Sequence, residues 1–331
     1  MANLISKLNS NCNWMGIATF ALFALFPLFA NLTGQEYYVT FLTRVLIIGL
    51  AAIGLNIALG YAGMVSFGHS LYIGVGAYTV AIVSEFGISN AALQLGIAVV
   101  TGVTISLIVG LVCLRTSGVA FIMITLAFAQ MFYYVVVGLK QYGGDDGMSL
   151  ASRSTLGALD LENNNVFYYF CLVIVSLVIW CVYRMSKSRF GSVIRGCKLN
   201  ERRMVAIGFG TLRYKLLAYV ISAEVCVVAG FLLANLAKFS SPSYLHWSMS
   251  GELIVMVVLG GIGTVLGPLL GAISLLFLEE VLANFVLPLP FGFGSFIQSH
   301  WMLLIGLFIV IIGLRVQHGL AGFINRRNQD V

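Results

Sequence analysis

Charge is the scarcest commodity in this chain. Of 331 residues only 9% are Asp, Glu, Lys or Arg, while 60% are hydrophobic. Soluble domains carry roughly a quarter of their residues as charged side chains. With 18 basic and 12 acidic residues the chain has too little charge to clothe a water-facing surface of this size, so most of that surface faces lipid. Disorder is excluded by the same numbers, because chains stay unfolded when apolar residues are few. Five prolines and 36 scattered glycines rule out a collagen-like or low-complexity chain. The four histidines are dispersed, with no H-E-x-x-H, and no phosphate loop of the form G-x-x-x-x-G-K-[ST] occurs. Cys12, Cys113, Cys171, Cys181, Cys197 and Cys226 form no C-x-x-C pair, and most lie in apolar stretches as small hydrophobes. No metal site, cofactor site or catalytic constellation is expected in this chain.

The chain is rich instead in long, unalternating apolar runs. A spanning helix needs about 20 mostly apolar residues, whereas barrel strands alternate with a period of two. Clear helical candidates cover residues 14–32, 45–62, 91–114, 119–139, 166–183 and 216–236. Interrupted or shorter ones cover 66–83, 253–266, 269–287 and 297–314. The reading is an all-α polytopic membrane protein of about ten transmembrane helices, one transmembrane unit over residues 1–331. Lys7 ahead of the first run resembles a signal peptide, but that run is of spanning length and lacks an A-x-A-type cleavage site.

The cations orient the spans. Residues 184–213 hold Arg184, Lys187, Arg189, Arg195, Lys198, Arg202, Arg203 and Arg213 against Glu201. The positive-inside rule makes this loop cytoplasmic. Residues 140–163 carry Asp145, Asp146, Asp160 and Glu162 against Lys140 and Arg153, as an external loop does. Counting crossings places Arg115 and Lys7 inside, Glu85 and His246 outside. The tail, 315–331, with Arg315, Arg326 and Arg327, falls inside, so both termini are cytoplasmic. The net charge of +6 therefore speaks of membrane lipid; no basic run is interleaved with aromatics as nucleic-acid binding would require.

Two stretches are poor material for a lipid-facing helix. Residues 60–70 read GYAGMVSFGHS, and residues 260–272 read GGIGTVLGPLLGA. Non-helical backbone at membrane depth survives only inside protein or beside a wet cavity. One reading is a broken helix along a translocation path, with Gly63, Ser66, Gly68, His69, Gly260 and Gly263 as its candidates. The other is close helix packing through small residues; for His69 alone a structural role is favoured. The spacing Gly60-x-x-Gly63 against Gly260-x-x-Gly263 hints at an internal repeat. Glu224, Glu252, Glu279 and Glu280 lie in or beside apolar helices, so they should face protein or water. Glu252 is read as interfacial, near His246 and Trp247, and Glu224 as a mid-helix carboxyl tolerable if protonated. Between two spans, residues 200–207 form a short cationic helix with the geometry of a lever for a soluble partner, or of a plain anchoring loop.

The order of several segments is familiar. GYAGMVSFGHSLYIGVGAY (60–78), SGVAFIMITLAFAQ (117–130), YGGDDGM (142–148), SRFGSVIRGCKLNERRMVAIGF (188–209), RYKLLAYVISA (213–223) and ELIVMVVLGGIGTVLGPLLGA (252–272), with Leu278-Glu279-Glu280, follow one another. Over roughly residues 44–283 the chain resembles the permease subunits of branched-chain amino-acid ABC importers, of the LivM type. The resemblance implies a fold like that of the vitamin B12 importers and alternating access driven by ATP. It implies a second permease of the LivH type, two ATPase subunits holding ATP and Mg, and a periplasmic binding protein, in a bacterial inner (cytoplasmic) membrane. It also implies that Asn200, Glu201, Arg202, Ala206 and Gly208 meet the ATPase. Arg202-Arg203-Met204, where the family usually has small or apolar residues, and Glu224, where it usually has alanine, depart from the pattern.

Three other readings compete: an ion- or proton-coupled carrier with Glu224 as the coupling carboxylate, a passive urea or amide channel, and, last for want of a catalytic cluster, a membrane enzyme. The substrate remains open among branched-chain amino acids, urea, short amides and aromatic acids.

Overall fold

A computed structural model describes residues 23, 26–27, 36–157, 160–284 and 301–315. Most of the expected first span, 14–32, and the tail beyond residue 315 lie outside the described residues. The fold is helical. In chain order the helices are α1 (Glu36–Asn56), α2 (His69–Glu85), α3 (Ala91–Cys113), α4 (Val119–Gly138), α5 (Asn164–Lys187), α6 (Arg189–Leu199), α7 (Glu201–Ala206), α8 (Thr211–Ala237), α9 (Trp247–Gly260), α10 (Gly267–Asn284) and α11 (Trp301–Arg315). Helix α1 runs on through a π-helical turn, Ile57–Tyr61. Two short strands, β1 (Met148–Ser149) and β2 (Phe239–Ser240), pair antiparallel.

Five stretches are long and apolar enough to cross a membrane: Tyr37–Tyr61, Ala91–Cys113, Val119–Gly138, Asn164–Ser186 and Thr211–Ala237. Their boundaries have local causes. The Asn90 side chain accepts from Ala92 N to start α3, and Asn163 does the same for α5 through Asn165 N. Gly118 enters α4 at φ 63°, where a side chain would be strained.

Burial sorts these helices into a centre and a rim. The α1 span is 89% buried and α8 67%, against 17% for α4 and 28% for α3. Helix α8, 27 residues long and therefore about 40 Å, packs on α1, α2 and α3. The α2–α8 crossing is held close by small residues: Gly76 lies against the Val227 carbonyl and Gly230 against the Ile73 carbonyl. The outward faces of α3 and α4 present Leu93, Val100, Ile108, Met123 and Val135, as lipid contact requires.

The expected span 45–62 is longer than its apolar core. The helix begins at Glu36 and takes Arg44 into its third turn. After α8 the chain turns back along α2. Ser240 Oγ donates to Ala77 O (2.8 Å), Ser70 Oγ donates to Leu245 O (3.1 Å), and Ser70 N donates to Ser250 Oγ (2.8 Å). Helix α9 thus starts level with the beginning of α2, which explains why it has only 14 residues. A helix of about 21 Å does not cross a hydrocarbon layer of about 30 Å. Helices α9 and α10 then form an antiparallel hairpin, with Gly260 against the Gly267 carbonyl and Gly271 against the Met256 carbonyl.

Candidate translocation and coupling sites

The two ends of the bundle differ in chemistry. One end carries the loop before α5, knitted around Arg153, which is 5% exposed. Its guanidinium donates to the carbonyls of Asn235, Leu161 and Glu162 and to Asn164 Oδ1, at 2.8–3.1 Å. It also lies 4.7 Å over the Phe167 ring. Lys238 pairs with Glu162, and this hydrogen bond, helped by the Arg153 backbone N–H, holds the Glu162 carboxyl below its ordinary value. The loop expected to be acidic and external is therefore a folded cover, tied to the ends of α5 and α8.

The other end carries α6 and α7, separated from the first by the 24 residues of α5, about 36 Å of helix. Ser188 caps α6 through Gly191 N, and Asn200 caps α7 by accepting from Arg203 N at 3.0 Å. The short helix expected over 200–207 is thus α7 and its cap. Glu201 forms an ion pair with Lys215 of α8. Two of the five expected contact residues, Asn200 and Glu201, therefore also hold the loop itself; Arg202, Ala206 and Gly208 are exposed. Sequence reasoning missed their apolar neighbours: Leu199 is 86% exposed, Val205 55% and Ile207 64%. A shallow open depression is lined by Leu199, Asn200, Glu201, Arg202 and Val205. The available signal was the position of Leu199, Val205 and Ile207 close to Lys198, Arg202 and Arg203.

The first glycine-rich segment, 62–68, is non-helical between the π-turn and α2. Its candidates separate. Gly63, at φ 72°, is exposed under the Lys198 side chain. Ser66, Gly68 and His69 are buried. His69 Nε2 and Ser222 Oγ lie 2.7 Å apart, and Ser222 Oγ donates to Gly54 O at 2.6 Å. The His69 ring meets Tyr72 and Tyr219 edge-on, and those two hydroxyls bond at 3.0 Å. Phe67 N donates to Thr125 Oγ1 at 3.3 Å, joining the segment to α4. His69 thus sits in a packed polar seam between α2, α8 and α1, with Nε2 bonded and Nδ1 buried without a hydrogen-bond partner among the described residues.

The second segment meets the first. Asn56, fully buried at the end of α1, accepts from Gly263 N (2.9 Å) and donates to Thr264 O (2.7 Å) in the turn between α9 and α10. Gly60 packs against Gly263. The contact joins the first glycine of one G-x-x-G pair to the second of the other, Gly60 to Gly263; Asn56, which joins them, was missed, although a lone Asn in an apolar span is itself a signal.

Of the membrane acids, Glu224 has both oxygens buried on the α3 side of α8, near Gly102, with no hydrogen-bond partner among the described residues. Glu252 and Glu279 lie within electrostatic reach of Arg44. The cation absent from their own helices is therefore supplied by α1. Glu280 accepts from Tyr37 Oη at 2.6 Å.

Comparison with known proteins follows this geometry. The model of the branched-chain amino acid transport system permease component family matches residues 37–313. The chain is 25% identical over 267 residues to the high-affinity branched-chain amino acid transport system permease protein LivM of Escherichia coli K12. That match covers 73% of this chain and 63% of the relative, so it spans less than two thirds of the relative's length. It is 23% identical over 304 residues to a probable branched-chain amino acid transport permease protein LivM of Methanocaldococcus jannaschii, covering 80% of this chain and 87% of that one. It is 24% identical over 246 residues to LivH of Salmonella typhimurium, covering 68% and 78%. No solved structure matches. The relatives are named as transport permeases and not as enzymes. With its several membrane-crossing helices, the chain is a multi-pass membrane protein and belongs to the branched-chain amino acid transport system permease family.

Proposed function

We propose that this protein is the LivM-type permease subunit of an ATP-driven importer for branched-chain amino acids or a related small polar solute. It works in a bacterial inner (cytoplasmic) membrane beside a LivH-type permease, two ATPase subunits carrying ATP and Mg, and a periplasmic binding protein. Ten spanning helices, both termini cytoplasmic and a vitamin B12-importer-like arrangement belong to the same reading. Substrate passes between the two permeases by alternating access, and the binding protein sets the substrate.

The observation that carries the reading is α7 with its flanks: a capped short helix on the cation-rich end, with Val205 exposed within it, Leu199 at the end of α6 before it and Ile207 just after it. Apolar side chains surrounded by cations, away from the lipid-facing rim, fit a soluble protein partner. Moving α7 would move α6 and, through the Lys215–Glu201 pair, α8. The test is co-purification with the neighbouring ATPase and permease subunits, followed by ATP-driven uptake in liposomes. The double variant Glu201→Ala, Arg202→Ala, and separately Val205→Asp, should insert normally, lose ATPase association and lose uptake. Normal association and uptake in both would refute the coupling assignment.

Glu224 favours a second reading. A buried carboxyl without a hydrogen-bond partner among the described residues is what a proton-coupled carrier would use. Uptake that collapses on adding a protonophore while ATP is held constant would support that reading instead.

A further inference from the structure

Three hydrogen bonds connect the α6–α7 end with the two glycine breaks. Lys198, in the last turn of α6, donates from Nζ to Gly60 O at 2.8 Å. Its aliphatic stem lies over Gly63, with Cγ 2.8 Å from where a Cβ would stand. Gly60 belongs to the π-turn that ends α1, a motif frequent where helices do work. On the far side of that turn, Asn56 bonds Gly263 N and Thr264 O in the α9–α10 turn.

Lys198 is also rigidly connected to the lever. Asn200, two residues on, caps α7 and donates its own N–H to Gly196 O of α6 at 3.0 Å. Met204 of α7 packs its sulfur on Gly196. A displacement of α7 therefore carries Lys198 with it. Among the described residues the ammonium has no carboxylate partner, so its charge is spent on one backbone carbonyl. Hydrogen bonds from charged donors are roughly twice as strong as neutral ones.

We infer that Lys198 is a positioning residue for transport: with Asn56 it forms a clasp that ties the lever to both glycine breaks, so that movement of α7 opens or closes the inner end of the path. This rests on the ATP-driven reading, and its test separates the two. The complete transporter is reconstituted with its ATPase, and the number of substrate molecules moved per ATP hydrolysed is measured per assembled complex. Lys198→Met should hydrolyse ATP but lower that ratio by about tenfold, the equivalent of one charged hydrogen bond. Lys198→Arg, which retains a cationic donor, should restore it, and Asn56→Asp, which loses the donor to Thr264 O, should lower it as well. A merely structural lysine would reduce the amount of complex while leaving the ratio per complex unchanged, and that result overturns the inference. Should no Lys198→Met complex be recovered, Lys198→Gln decides by the same ratio: a wild-type value overturns the clasp, a lowered one supports it. Wild-type uptake that proceeds without ATP would instead refute the ATP-driven reading, independently of any Lys198 variant.

Discussion

Gly76→Ala is a severe test of the α2–α8 crossing because so little is added. A Cβ at Gly76 would meet the Val227 carbonyl oxygen directly, with the carbonyl carbon at 2.9 Å and Phe231 N at 3.1 Å. At Gly230 the mirror contact is with the Ile73 carbonyl, whose carbon lies at 2.8 Å and Cα at 3.0 Å. Both obstacles are helix backbone and cannot rotate away, so the helices must part. A gap of about 0.5–1 Å forfeits a quarter to a half of each dispersion contact it opens, and overpacking of this kind typically costs about 1–3 kcal/mol. The same interface carries the Tyr72–Tyr219 and His69–Ser222 bonds, at 3.0 and 2.7 Å. Stretching either adds up to about 1 kcal/mol. Gly76→Ala should therefore destabilise the protein by about 2–4 kcal/mol. The control is Gly96→Ala on α3, where a Cβ meets nothing within 4 Å and alanine is the better helix former by about 1 kcal/mol. The assay is the midpoint of thermal unfolding in detergent, read by size exclusion. Gly76→Ala should fall and Gly96→Ala should hold or rise. Equal midpoints for the two variants would refute the crossing.

Other perturbations have equally definite signs. Arg153→Lys should destabilise the loop cover by about 2–4 kcal/mol, because lysine cannot reproduce four guanidinium bonds in a buried site; protease cleavage between α4 and α5 would report it, and an unchanged cleavage rate would sink the assignment. The depressed carboxyl of Glu162 contributes stability that is present above its unfolded value and lost as pH falls through the lower folded value. The pair with Lys238 is half exposed and worth at most about 1 kcal/mol, so acidification should speed the same cleavage slightly in the wild type and not in Glu162→Gln. Glu224→Gln should keep uptake within about twofold, since a buried carboxyl without a partner is most cheaply held neutral and the amide preserves its shape; uptake abolished in this variant and also by a protonophore at constant ATP would favour the proton-coupled carrier.

What the sequence disclosed depended on whether a signal was local. The limits of α3 and α4 were legible to within a residue, because Asn90, Gly118 and the apolar runs between them specify ends and middle together. The helix at 201–206 was legible because its cap, its first-turn acid and its cations lie within six residues. The early start of α1 was hidden by Arg44, whose charge ends an apolar run on paper but in the fold lies near Glu252 and Glu279. The start of α9 beside the beginning of α2 was hidden for a different reason: Ser70 and Ser250 meet across 180 positions, and nothing in either neighbourhood announces the other. The Gly60–Gly263 contact lies between these cases. The two glycine-rich segments were visible as a possible repeat, but their meeting required Asn56, which by sequence is a single polar residue inside a long apolar run.

Exposed apolar residues have two different causes in this protein, and the charges around them tell which applies. On α3, α4 and α5, Val100, Met123 and Val173 are exposed in helices without a charged residue along their middle turns, and a hydrocarbon solvent accounts for them. Leu199, Val205 and Ile207 are exposed beside Lys198, Arg202 and Arg203. Lipid tails cannot solvate that mixture, since an arginine or lysine at the bilayer centre costs about 2.5–3.5 kcal/mol even on the mildest scale. Water solvates the cations but not the three apolar side chains, so the surface is unsatisfied in either solvent alone. A protein partner that covers the apolar residues and leaves the cations at a wet rim resolves both demands, with the apolar centre and polar border that interfaces commonly have. With Asn200 already bonded to Arg203 N and Glu201 to Lys215, these neighbours would supply shape and stiffness to the proposed contact, while its driving force would come from Leu199, Val205 and Ile207.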